Sequence, residues 1–351
     1  MNILDASFDD RDIERYCIGA GIIPISVSPT DNTPHLLLGR EQWVSSWKGS
    51  CRWSGFEGSR KECESTRMSA AREFVEESMG CVHACPRECP YDRIRDVIHS
   101  LETRRFWKRI VLKIETERNI ERYHTTFLIP VPWNDSTPQH FFDTRMEVEQ
   151  VERLVQEWNY TRPYDIGEAG ENIGPIVIEN GTIHVEKAID TSPCITRRPW
   201  RRDGTVLRAT FTDPKNVRDI EQWSNVRDRL TRAVKRCTHP CVRADYDDHW
   251  RIIQRVHVNT DYLEKDQVRW WSIDELDAVI AGQGQLGMER FRPYFLPVLQ
   301  TVLDLIHKRM TEVKWTPVCD VVQEFCIECE PPKPYLEVQG ELAEPPHETV
   351  H

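Results

Sequence analysis

Gly58-Ser-Arg-Lys-Glu-Cys-Glu64-Ser-Thr-Arg-Met-Ser-Ala-Ala-Arg72-Glu73-Phe74-Val75-Glu76-Glu77-Ser78-Met79-Gly80 is the stretch that decides how this chain is read. A glycine loop leads into a segment, 64–79, where Met68, Ala71, Val75 and Met79 recur at spacings of three and four, which predicts a helix. Gly80 stands where a helix C-terminus favours glycine. Glu73, Glu76 and Glu77 lie at i, i+3 and i+4 and so share one helical face. Like charges at that spacing repel unless a cation sits among them, and hard oxygen donors suit Mg²⁺ or Mn²⁺ better than Zn²⁺. Arg72 is adjacent and can hold one of the carboxylates. A glutamate run taken alone is most often a solvated helix face; the whole string narrows the choice.

That string resembles the Nudix signature: Gly, five residues, Glu, seven residues, Arg-Glu, an apolar residue, any residue, Glu-Glu, any residue, Gly. Gly58, Glu64, Arg72, Glu73, Phe74, Glu76 and Glu77 fall in register. The departure is at the end, where Met79 stands in place of the last glycine and Gly80 follows; this should alter the helix cap and leave the glutamate face intact. The resemblance continues outside the box. Two strand-like runs precede it, 17–27 and 35–39, and Arg269-Trp-Trp-Ser-Ile-Asp-Glu-Leu276 looks like the strand, tryptophan and helix start that often follow it. Glu264 occupies the place where many such proteins carry a further metal-binding or basic glutamate. The arrangement also looks like the long Nudix proteins of large DNA viruses and protists, some of which remove mRNA caps.

The resemblance implies an α/β fold, a Nudix α/β/α sandwich, in which water attacks a diphosphate. Glu73, Glu76 and Glu77, with a backbone carbonyl near Gly58, would hold one to three Mg²⁺ or Mn²⁺ ions. Arg72 would pair with Glu73 or Glu64. Bound metal neutralises phosphate charge and lowers the pKa of its water. The general base varies in this superfamily, and Glu73, Glu77 and Glu264 all remain open.

Working outward, 1–16 reads as an arm, 17–158 plus 250–310 as the Nudix domain, 159–249 as a large α+β insertion, and 328–351 as an acidic, proline-rich disordered tail. Pro24 would demote part of 17–27 to an edge or a bulge. Phe106–Glu115 and Tyr123–Val131 read as strands, and Phe141–Trp158 and Arg290–Arg309 as helices. Within 159–249, Asn180-Gly181 flanked by alternating runs is the strongest hairpin signal in the chain, and Asn216–Arg236 reads as a basic helix, giving a hairpin plus a helix.

Residues 195–256 hold 15 Lys/Arg against 8 Asp/Glu, although the whole chain carries −11. Basic residues interleaved with Trp200 and Trp223 suggest a grip on an RNA backbone through Arg201, Arg202, Arg229 and Arg232, set against a helix that merely balances an acidic body. Of Trp43, Trp47 and Trp53, at least two are expected in the core, the other facing substrate. Cys81-x-His83-x-Cys85-x₃-Cys89, Cys237-x-His239-x-Cys241 and Cys326-x-x-Cys329 could pair as a structural zinc site, but plain thiols are the default expectation for the 12 cysteines. No apolar run approaches the ~20 residues of a membrane helix, and the acidic N-terminus lacks a secretory pattern. A cytoplasmic enzyme with no membrane partner is expected. Its substrate would be a nucleotide or capped RNA, with free nucleotides, dinucleoside polyphosphates and diphosphoinositol polyphosphates open. A non-catalytic nucleotide- or RNA-binding Nudix module is the rival class, disfavoured by the full set of box glutamates.

Overall fold

The computed structural model describes residues 2–4, 10–45, 47–83, 91, 93–103, 106–115, 121–163, 173–188, 201–203, 206–247, 252–283, 287 and 290–312. The expected tail, Cys85, Cys89, Cys326, Cys329, Trp200 and the side chain of Arg202 lie outside that set.

One mixed sheet organises the chain. Its strands are β1 (Asn2–Leu4), β2 (Cys17–Val27), β3 (Pro34–Glu41), β4 (Trp53–Ser54), β5 (Phe56–Ser59), β6 (Lys108–Glu115), β7 (Glu121–Pro130) and, much later in sequence, β14 (Lys265–Ser272). They run in the order β1-β6-β7-β2-β3-β14, with β4 on β3 and β5 on β2. The pairing of β2 with β7 is parallel and the other pairings are antiparallel.

Successive side chains of a strand point to opposite faces, and this sheet buries both. Ala20 and Ile22 of β2, Leu37 of β3 and Phe127 and Ile129 of β7 enter one apolar cluster; Ile23 and Ile25, Leu36 and Leu38, and Leu128 enter another. The first is covered by α2 (Thr66–Glu77), α3 (Ile94–Glu102) and α4 (Thr137–Tyr160), through Phe74, Val97, Phe141 and Val148. The second is covered by α6 (Ile273–Ile280) and α7 (Phe295–Glu312), through Leu276, Phe295, Leu299 and Leu303. Helices on both faces of a sheet make three layers. α6 begins at a full capping box, in which Ser272 and Glu275 satisfy each other's backbone N–H groups.

Pro24 lies in mid-sheet, not at an edge. β2 pairs with β5 through Ile22 and with β3 from Ile25 onward, so nothing is registered opposite Pro24 on that side and its missing N–H leaves no acceptor waiting there. Ahead of the sheet, α1 (Asp10–Tyr16) places Ile13 against Val111 and Tyr123, and β1 pairs with β6; the N-terminal segment is therefore joined to the sheet. Met68, part of the apolar repeat that predicts α2, is 42% exposed. It sits in the first turn, before the helix passes beneath the sheet at Ala70 and Ala71.

A second sheet, of four strands, follows later in the chain. β8 (Ile173–Glu179) and β9 (Thr182–Ala188) meet at Asn180 and Gly181, both with positive φ, the mark of a type I′ turn. β11 (Val206–Phe211) and β10 (Arg201–Asp203) extend this hairpin to four strands, beyond the hairpin that the sequence suggests. α5 (Pro214–Arg236) packs on the same apolar cluster as α4: Trp223 stacks on Trp158 with ring centroids 5.8 Å apart. β12 (Val242–Asp247) and β13 (Ile252–Val258) lead back toward β14. No helix among the described residues is long and apolar enough to cross a membrane.

Candidate active site

The glutamates of α2 face a cavity of about 570 Å³ between the helix, the ends of β2 and β5, and the turn before β14. Ser65 starts α2 by accepting from the Met68 N–H. The helix ends in a Schellman arrangement, with Gly80 N donating to Val75 O and Met79 N to Glu76 O. Met79 itself takes the left-handed position, φ 53°, that glycine holds in the signature. Its side chain is fully buried, so core packing accompanies a conformation that costs a β-carbon some strain.

Arg72 is the hub. Its Nε and Nη2 donate to the two oxygens of Glu64 at 2.6 and 3.0 Å, Nη1 donates to Glu73 Oε1 at 2.8 Å and Glu76 Oε2 at 3.0 Å, and Nη2 also reaches Ser59 O at 2.9 Å. All five guanidinium donors are thereby used. Burial disfavours its charge, yet Glu64 and Glu73 outweigh that and hold its pKa above the ordinary value.

Glu73, Glu77 and Glu264 each bring a carboxylate oxygen to within 4.8 Å of the others. Glu76 stands beside this trio, tied to Arg72. Gly58 closes it from below: a β-carbon at that position would come within 2.3 Å of Glu73 Oε1, so any larger residue would push that carboxylate aside. Burial pushes Glu73 up to about 7 against the pull of Arg72, and Glu264 and Glu76 raise it further. Burial likewise lifts Glu77 well above the carboxylate range, with Lys265 opposing and Glu41, Glu73 and Glu264 adding to the rise. Burial also raises Glu76 and Glu264. Crowded carboxylates short of positive charge, with oxygens on one small volume, fit a divalent cation.

Several supporting residues were not singled out in the sequence. Lys265 is fully buried, and its Nζ reaches Glu41 Oε1 at 2.5 Å, Ser54 Oγ at 2.9 Å and Glu77 Oε1 at 3.2 Å. Burial opposes its charge, and Glu77 and Glu41 prevail to raise its pKa. The other oxygen of Glu77 accepts from Glu57 N at 2.7 Å. Glu77 is thus fixed at both oxygens. Glu264 is fixed through its backbone: Arg145 Nη1 donates to the carbonyls on either side of it, Leu263 O at 2.7 Å and Lys265 O at 2.5 Å, while Gln42 N donates to Glu264 O at 2.8 Å. Arg292 also lines the cavity and donates to Glu41 Oε1 at 2.8 Å.

The remaining candidates fall elsewhere. Arg201, Arg229 and Arg232 are exposed and none lines the cavity. Arg229 is paired with Glu157 at 3.0 Å. Trp223, suggested by sequence as a stacking ring for RNA, is 1% exposed, with Trp158 against it and Arg227 over its ring at 5.3 Å; it is a core residue with no free face. The tryptophans before the box also depart from expectation. Trp53 alone is buried, against Trp271, while Trp43 is 71% and Trp47 41% exposed. His239 bridges Met79 O (3.0 Å) and Cys241 Sγ (2.8 Å). Burial pushes the Cys81 and Cys241 thiols up to about 12. Among the described residues, no cysteine–histidine group is gathered closely enough to hold a metal ion.

The sequence matches no model of a known family, and no curated protein matches it. Among solved structures the chain is similar to a Nudix hydrolase from M. smegmatis, RenU, at 16% identity and a TM-score of 0.24, over 34% of this chain and 63% of that one. It is also similar to the NUDIX domain of Shewanella oneidensis NrtR, solved with ADP ribose, at 12% identity and a TM-score of 0.20, over 37% and 69%. A C. elegans Ap4A hydrolase overlaps at 14% identity and a TM-score of 0.19, over 33% and 67%. The chain spans less than two thirds of the length of the first of these. It is the side chains of the cavity, not these partial overlaps, that bear on function.

Proposed function

We propose that this protein is a divalent-cation-dependent hydrolase of the Nudix type that cleaves a phosphoanhydride bond. The observation that carries the reading is the trio Glu73, Glu77 and Glu264, closed below by Gly58 and flanked by an arginine whose every donor is committed. These three carboxylates would hold Mg²⁺ or Mn²⁺, with Glu76 next to them. The ion would supply charge neutralisation for the diphosphate and a water of lowered pKa.

The chain's own residues supply preorganisation. Arg72 keeps Glu64, Glu73 and Glu76 from turning away, Lys265 and the Glu57 N–H orient Glu77, and Arg145 with Gln42 sets the turn that presents Glu264. A rigid acidic cradle needs no rearrangement when charge develops on the phosphate oxygens. The proton of the attacking water goes to one of Glu73, Glu77 and Glu264, and pH–rate profiles of the three Gln variants would separate them. The reading stops at a diphosphate-bearing small molecule, because Trp223, one of the two rings suggested for RNA stacking, lies in the core and the other, Trp200, lies outside the described residues.

The test is hydrolysis of a panel of diphosphates in Mg²⁺. Glu77→Gln and Glu264→Gln should each lower kcat by about 10²–10⁴-fold, the usual scale for losing a group that moves a proton or holds its donor, with melting unchanged or raised. Undiminished turnover in excess chelator, or in the double variant, would remove the assignment.

A further inference from the structure

The start of α2 is capped from another part of the chain. A helix leaves its first N–H groups without partners of its own. Ser65 takes the N–H of Met68. Thr66 N donates instead to the carboxylate of Glu14, at 3.0 Å to Oε2 and 3.3 Å to Oε1. The first turn of α2 carries no acidic residue, and a negative charge is favoured at a helix N-terminus. Glu14 supplies that charge from α1, 52 residues earlier in the chain.

The same residue holds the other end of the loop that leads into α2. Arg60 Nη1 donates to Glu14 O and stands 3.7 Å from Glu14 Oε2. The loop 60–66 is thus bracketed at both ends by Glu14. Between the brackets Cys63 takes φ 66°, a conformation that a β-carbon disfavours. Such a conformation persists only where its surroundings impose it. α1 is itself anchored: Ile13, 2% exposed, packs against Val111 and Tyr123, and the helix runs straight into β2 at Cys17.

What the loop carries is Glu64. Lys61 N donates to Glu64 Oε2 at 3.0 Å. Both Glu64 oxygens accept from Arg72, which in turn holds Glu73 and Glu76. Lys61 Nζ also reaches Asp261 Oδ2 at 3.4 Å, on the turn that presents Glu264. A continuous set of contacts therefore runs from Glu14, through the loop and Arg72, to the carboxylates of the cavity. The Glu14–Arg60 ion pair is partly exposed, and pairs of that kind add little stability. Its consequence falls on the geometry of the site.

From these observations we propose that Glu14 is a positioning residue for the cation site: by capping α2 and holding the loop ahead of it, the N-terminal segment sets the glutamates that would bind Mg²⁺ or Mn²⁺. Glu14 does not line the cavity; it acts through Thr66 and Arg60. The proposal rests on the hydrolase reading for the cation and goes beyond it in making α1 part of the site.

The experiment is calorimetric binding of Mn²⁺ to the full chain, with hydrogen exchange over residues 60–68 followed in parallel. Glu14→Ala should weaken Mn²⁺ binding about tenfold, the lower end of the range for losing a group that supports metal ligands, and should speed exchange in that segment. Glu14→Gln removes the charge but keeps an acceptor for the Thr66 N–H, so it should restore most of the affinity. Equal losses in the two variants would mean that the charge acts at a distance and not by capping, and would overturn the proposal. So would wild-type affinity in Glu14→Ala, the result expected of a merely structural role, which would move the melting temperature alone. Ile13→Ala, which loosens α1 from the sheet and leaves Glu14 in place, should reproduce the loss and covers the case in which Glu14→Ala fails to fold. Turnover of a diphosphate separates this proposal from the hydrolase reading. Mn²⁺ binding that follows this pattern in a protein that hydrolyses nothing would refute the hydrolase and leave the positioning role standing. Hydrolysis with Mn²⁺ affinity indifferent to Glu14 would do the reverse, and a wild type that binds no Mn²⁺ would end both.

Discussion

Glu73 should make the metal-free protein less stable as the pH rises. Its carboxyl titrates at about 7 in the folded protein, against 4.5 for an ordinary glutamate, because it is buried and faces Glu264 and Glu76. Below about pH 4.5 the group is protonated in both folded and unfolded chains, and it costs nothing. Above about 7 it is ionised in both, and the folded state bears the full penalty. Each unit of difference is worth about 1.4 kcal/mol, so the stability lost on crossing this window is about 3 kcal/mol. Urea unfolding in excess chelator at about pH 5 and about pH 8 reads it directly. Wild type should lose roughly 2–3 kcal/mol more than Glu73→Gln over that interval, since the other raised carboxylates remain in both proteins. Saturating Mg²⁺ should reduce the wild-type loss, because a ligand that binds only the folded state stabilises it. If the two proteins lose stability in parallel, or if Mg²⁺ changes neither, Glu73 is not held in a crowded acidic site and the metal cradle fails with it.

Lys265→Met should cost about 3–5 kcal/mol by urea unfolding, because Glu77 would then lose its buried counter-ion while only Glu41 keeps one, in Arg292; a loss under 1 kcal/mol would mean that Glu77 is neutralised some other way. Gly58→Ala should abolish turnover while lowering the melting temperature only modestly, since the added carbon strikes the Glu73 carboxylate and not the apolar core; unchanged kcat would show that the loop does not set that carboxylate. Charge reversal of Arg229 and Arg232 together should leave kcat/KM for small diphosphates within about twofold, since surface changes away from a site act weakly; a large drop would place α5 in contact with substrate.

The parts of this fold that can be read from sequence are those where local chemistry and tertiary packing agree. Asn180-Gly181 demands positive φ at two successive residues and gets a tight hairpin. Ser272 and Glu275 start α6 by mutual capping, and the alternation of Leu36, Leu37 and Leu38 between two apolar clusters follows from a buried strand. Helical spacing likewise puts Glu73 and Glu77 on one face with no knowledge of the rest. Where local and tertiary preferences part, sequence misleads. Pro24 looks like an edge residue, yet it sits in mid-sheet at a changeover between two neighbouring strands, a circumstance set by β5 and β3 and not by its own surroundings in the chain. Trp223 looks like a base platform among arginines, yet α4 supplies Trp158 to cover it. The alternation Val206–Phe211 is visible in the sequence, but nothing local says that it adds to a hairpin.

The acidic site was legible on its helix and, through the resemblance, at Gly58 and Glu264, but not at Glu41, Lys265 or Arg292, for a related reason. Lys265 lies 224 residues from Glu41, and Arg292 lies in the turn before α7; their carboxylate partners are chosen by the order of strands. A lysine at the start of an alternating strand reads as a solvated end, and only the pairing of β14 with β3 turns it inward. The ordering also explains why the cradle can be so dense. Glu73 and Glu77 come from a helix, Glu264 from a turn held by Arg145, and Glu41 from a strand end, so no single element has to carry all of the repulsion. The helix contributes three carboxylates, two of them offset by its own Arg72, and the turn and the strand end contribute one each, so the sheet brings them all together only when the whole fold has formed. A divalent ion would then bind the folded chain far better than the unfolded one, which couples the stability of this site to the cation that its chemistry requires.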